Sequence, residues 1–124
     1  MNIPTRLTFC LLTGALLAGF GAGCSKKPAA ATPAELEASL RDAFKDGAEG
    51  ARKMADAAAD ALQKQDRAQA FALLNGLSSA PELSPEQRQA AAHAATAMRE
   101  QLAKDAAKGD QEAAALMQAY RSSK

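Results

Sequence analysis

Apolar residues follow two different rhythms along this chain. Leu7 to Phe20 is a run without a single charge, whereas from Thr32 onward apolar positions return every three or four residues between polar ones. The second rhythm belongs to helices that bury one face. Thr32-Pro33-Ala34-Glu35 supplies a capping hydroxyl, a Pro whose missing N–H is harmless in a first turn, and a Glu that reaches back to the cap. Leu36, Leu40, Ala43, Gly47, Gly50, Met54, Ala57 and Ala61 then trace a narrow stripe of mostly small residues. Gly47 and Gly50 each cost a helix about 1 kcal/mol relative to Ala, so a break competes with continuity. The spacing favours one long, kinked helix ending near Gln65.

Asp66 caps a second helix whose apolar face holds Ala70, Phe71, Leu73, Leu74 and Leu77. Ser78 to Leu83, with Pro81 inside, ends it, and Ser84-Pro85-Glu86-Gln87 opens a third helix with the logic of the first. That helix presents Ala91, Ala94, Ala95, Met98 and Leu102 before Lys108-Gly109 stops it. Asp110 caps a fourth, carrying Ala113, Leu116, Met117 and Tyr120. Lys64-Gln65-Asp66 and Lys108-Gly109-Asp110 echo each other at an offset of about 44 residues, with Ala70 and Ala114 four beyond each Asp. The expected fold is all-α, three to four helices forming two antiparallel helical hairpins over residues 32–124.

The stretch from Ala61 and Leu62 through Asp66, Ala70, Leu74, Leu77 and Pro81 is similar to a tetratricopeptide-type hairpin. That resemblance implies stacked hairpins presenting a groove to another protein. Arg67 stands where that family favours an aromatic residue, and the offset exceeds the family's usual 34 residues.

The first rhythm is that of an address. Met1 to Arg6 is a short basic start, Leu7 to Phe20 an apolar run too short to cross a bilayer, and Gly21 to Cys24 a cluster ending in small residues and Cys. Residues 1–23 therefore form a cleavable signal, and 24–31 a short tether with Pro28 and no periodicity. Ala22, Gly23 and Cys24 resemble the lipobox of bacterial lipoproteins, with Gly21 departing from the usual aliphatic residue. The resemblance implies that Cys24 is thioether-linked to diacylglycerol and becomes an acylated N-terminus. Ser25 follows where lipoproteins held at the inner membrane often carry Asp, which implies an outer-membrane protein facing the periplasm. Loss of Cys10 with the signal leaves Cys24 as the sole mature thiol; a free thiol or an intermolecular disulfide are the other uses open to it.

Composition narrows the chemistry. The 124 residues are 48% hydrophobic but only 4% aromatic, about a quarter are Ala, and Trp is absent, so close helix packing must replace bulk. Fifteen basic against fourteen acidic residues, interspersed, leave no nucleic-acid footprint. His93 is the lone histidine, flanked by Ala, and belongs at the edge of an apolar face instead of in a metal site. Asp56 with Asp60, and Glu100 with Lys104, are spaced as helix-surface charge. With no catalytic motif, no cofactor and no small-molecule substrate in evidence, the sequence favours a non-enzymatic envelope protein anchored in membrane lipid through Cys24.

Three roles fit such a protein. Phe71, Leu74, Leu77, Met98, Met117 and Tyr120 are the large apolar residues available to an interaction face for an envelope partner, or else to the core. Ala-rich helices and Lys124 at the C-terminus resemble the murein lipoprotein, whose terminal Lys carries the covalent link to peptidoglycan; here Pro81, Pro85 and Gly109 interrupt what in that family is one unbroken coil. Self-association through the small-residue stripe of the first helix is the third role, since a small domain gains buried area by pairing.

Overall fold

The computed structural model describes residues 31–124; the expected signal over 1–23, Cys24 and residues 25–30 of the expected tether lie outside the described residues. Among the described residues there are five helices and no strand: α1 Pro33–Phe44, α2 Glu49–Gln63, α3 Arg67–Ser78, α4 Pro85–Ala107 and α5 Gln111–Ser122. The all-helical class is as expected, and both hairpins are present, α2 with α3 and α4 with α5. None of these helices is long and apolar enough to cross a membrane.

The fifth helix arises because the first one breaks. The chain turns at Lys45 to Ala48, and the Gly47 N–H donates to the Phe44 carbonyl at 3.0 Å. A Cβ on Gly47 would stand 2.6 Å from Gln87 Nε2, so the turn presses against the start of α4. Breaking there lets α2 fold back on α1, and tertiary burial outweighs the continuity of a helix already weakened by two glycines. The buried face of α2 is then Ala55, Ala58, Ala59, Ala61 and Leu62, which keeps the expected Ala61 but not Met54 or Ala57. Met54 is 36% exposed, its sulfur beside Gly76, and Gly50 faces open space. In α1 the third buried position is Phe44, not Ala43. The continuous Ala/Gly stripe on which self-association rested is therefore not formed.

Short connections make successive helices antiparallel. Helix α1 packs on both α2 and α4, α2 on α3, α3 on α4, and α5 on α4 alone among the major contacts. Four helices thus close a ring and α5 lies outside it, a different layout from simply stacking two hairpins. Among the described residues, nine of the nineteen buried apolar ones are Ala. Bulk comes mainly from Leu36, Leu40 and Phe44 of α1 and Phe71, Leu74 and Leu77 of α3, which flank the small face of α2 on its two sides. Large side chains against small ones fill the interior without aromatic mass.

Candidate docking groove

The caps that define the helix ends also shape the site. Thr32 and Ser84 each form a complete capping box, with Glu35 and Gln87 respectively. The two echoed turns are the same structure. Asp66 N–H donates to the Ala61 carbonyl and Gln65 N–H to Leu62; Asp110 N–H donates to Asp105 and Gly109 N–H to Ala106. Both are six-to-one and five-to-two closures around a residue of positive φ, Gln65 at 58° and Gly109 at 96°. Asp66 Oδ1 then accepts from Gln69 N–H and Asp110 Oδ1 from Ala113 N–H, each at 3.0 Å.

Arg67, one residue past the first cap, ties the two turns together. Its Nη1 donates to Asp110 Oδ2 at 2.7 Å and lies 3.7 Å from Asp105, while Nη2 donates to Glu112. Asp110 therefore caps α5 with one oxygen and accepts from α3 with the other. Arg67 first, and the Ala113 N–H second, hold the Asp110 carboxyl below the ordinary carboxylate range; the same hydrogen bonds to Asp110 and then Glu112 push the Arg67 guanidinium up. The sequence marks Arg67 only as a departure from the aromatic of a tetratricopeptide-type hairpin, and its counterpart in the second copy is Gln111.

At this end of the ring a groove of about 750 Å³ opens. Helix α4 has 23 residues against 12 to 15 for α1, α2 and α3, so at about 1.5 Å per residue it outruns them and forms a back wall. Buried Leu36, Leu62, Ala70, Met98 and Leu102 supply the floor. Ala97 and Gln101 stand on the α4 wall, Ala31 and Pro33 on the wall where α1 begins, and Asp66, Glu100, Lys104 and Glu112 on the rim. His93 is exposed at the groove's edge. The volume and the mixture of apolar floor and polar rim fall in the range of ligand and peptide sites. No side chain is both polar and buried among the described residues, and no cluster there could hold a metal ion.

The six residues singled out as an interaction face are divided by the fold. Leu74 and Leu77 have no exposed surface, Phe71 is buried, and Met98 lies under the groove. Met117 and Tyr120 are half-buried on α5. Tyr120 meets Phe71 edge-on at 5.6 Å and accepts a hydrogen bond from Arg99 Nη1 at 2.7 Å. Lys124 Nζ lies 5.3 Å from the Tyr120 ring centroid. This seam fastens α5 to α3 and α4.

Asp56 and Asp60 do more than solvate a surface: both bind Arg41 of α1, at 3.3 and 2.6 Å, and Glu37 joins them. The hydrogen bond to Asp60 is the main cause of an Arg41 pKa above its ordinary value. Comparison of the chain with protein-family models, with curated proteins and with solved structures finds no match.

Proposed function

We propose that this chain is an envelope lipoprotein, acylated at Cys24 and facing the periplasm from the outer membrane, whose helical domain is a non-catalytic docking module for an apolar segment of another protein. The observation that carries the reading is the position of the groove. Its wall includes Ala31 and Pro33, so the binding surface lies where the tether meets the fold. Six residues separate Cys24 from Ala31, seven Cα-to-Cα steps that reach about 25 Å at most, which keeps the groove close to the membrane surface. The leader layout and the small-residue cluster ending in Cys24 support the anchor. An apolar floor without buried polar groups suits the holding of an apolar segment better than proton transfer.

Two measurements test this reading. Mass analysis of the membrane-bound protein should find an N-terminus at diacylated Cys24, and Cys24→Ser should release the chain to the soluble fraction. A mature N-terminus elsewhere ends the anchor. Ala97→Arg, which fills the groove from its wall, should abolish cross-linking to the partner while leaving the unfolding free energy within about 0.5 kcal/mol of the parent. Unchanged cross-linking would remove the groove from the account.

A further inference from the structure

We infer that the cleft between the end of α3 and the end of α5 is a binding site for a phosphate ester that carries hydroxyl groups. It lies apart from the docking groove and does not depend on it. Among the described residues three arginines are half-buried, and each reaches from one helix to another. Arg41 is met by Glu37, Asp56 and Asp60, and Arg67 by Asp105, Asp110 and Glu112. Arg99 meets neutral oxygens instead: its Nη1 donates to the Tyr120 hydroxyl at 2.7 Å and its Nη2 to Thr96 Oγ1 at 2.9 Å. No carboxylate pairs with it among the described residues.

A guanidinium held in place by neutral acceptors and lacking a counter-ion is prepared to receive an anion. A second cation shares its position. Lys124 Nζ lies 5.3 Å from the centroid of the Tyr120 ring and the Arg99 guanidinium carbon 5.4 Å from it. Both residues line a cleft of about 400 Å³ in which no acidic side chain takes part. The Tyr120 hydroxyl, having accepted from Arg99, still has its own proton to give. Three donor groups outnumber the two oxygens of a carboxylate and match those of a phosphate.

The α3 side of the cleft offers acceptors. Asn75 Nδ2 donates to the Phe71 carbonyl, Ser78 Oγ and Ser79 Oγ both donate to the Asn75 carbonyl, and Ser123 Oγ donates to that of Tyr120. With those protons engaged, Asn75 Oδ1 and the serine oxygens remain as acceptors on residues that line the cleft. Cations on one side and neutral acceptors on the other select a molecule with an oxyanion and hydroxyl donors together. Glycerol phosphate is the simplest such compound, either free or as the headgroup of an anionic phospholipid.

Tyr120 is the chain's only tyrosine and Trp is absent, so tyrosine emission reports on this cleft alone. The full chain in phosphatidylcholine vesicles is titrated with glycerol 3-phosphate and, in a second arm, with rising phosphatidylglycerol at constant total lipid. A saturable change in emission is expected. Arg99→Gln should raise the half-saturating concentration about ten-fold, and Lys124→Gln, at an exposed position that the fold does not need, about three-fold. Arg52→Gln, which removes an exposed cation from α2, should leave it unchanged. Inorganic phosphate, without hydroxyl arms, should need about five times the concentration of the ester. A response to the soluble ester supports a site for free polyol phosphates, and a response to the lipid arm alone supports a headgroup site. No saturable response in either arm overturns the inference. So does a response that Arg99→Gln and Lys124→Gln leave unchanged, or that Arg52→Gln weakens equally, since binding would then follow net charge. Parity between inorganic phosphate and the ester overturns the polyol assignment.

Discussion

At the end of the ring where α1 turns into α2, Phe44 and Leu77 are closed off from solvent, and Leu83 from the α3–α4 connection joins the core beneath them. At the opposite end Leu36, Leu62, Met98 and Leu102 line a groove. The same four helices make both ends. The sealed end is finished by large side chains and longer connections, and the open end by two tight, hydrogen-bonded turns clamped by Arg67. A groove can open over the edge of the core when polar contacts, added to packing, hold its walls in place.

The comparison breaks first on core deletions. Phe44→Ala or Leu77→Ala at the sealed end should lose about 3–5 kcal/mol in urea unfolding, through lost contacts and an unrelieved cavity. Met98→Ala should lose closer to 2 kcal/mol, because the space it leaves joins one already open. Equal losses at the two ends would mean that the groove is no less packed than the core.

Next in size are the two turns. Gly109→Ala should cost about 1 kcal/mol, since its φ of 96° suits only Gly, whereas Gln65→Gly should gain about 0.5–1 kcal/mol at the matching position. Thermal unfolding of both variants checks whether the echo is structural as well as sequential.

Acid should act on the open end before the sealed one. Asp110 titrates below the ordinary Asp value of about 3.9, so its stabilising contribution is complete above that value and disappears as pH falls through the lower folded-state value. Asp110→Asn should flatten the loss of stability below about pH 4, and amide exchange in the native protein should rise there at Gln111 to Ala114 before it rises at Phe44. The smallest effect belongs to neither end. Asp56→Asn should change stability by less than about 0.5 kcal/mol, because Arg41 keeps Asp60 and Glu37.

Local chemistry made much of this fold legible. Thr32, Asp66, Ser84 and Asp110 announce their helices because a cap is a contact between residues three apart, and the two Asp turns echo for the same reason. The face of α2 was not legible. Ala55, Ala57, Ala58, Ala59 and Ala61 put small apolar residues on several sides, so periodicity alone does not select one, and the break at Gly47 resets the register. The groove was hidden for a different reason. It depends on α4 outrunning its neighbours and on Arg67 reaching 43 residues along the chain to Asp110, both consequences of tertiary assembly.

Photo-cross-linking in cells from two positions on the full-length protein tests the central claim most directly: Ala97 in the groove and Glu86 at the sealed end. The account expects a partner adduct from position 97, none from position 86, and loss of the first when Gln101→Arg crowds the groove. Equal adducts from both positions, or adducts from position 86 alone, would contradict it.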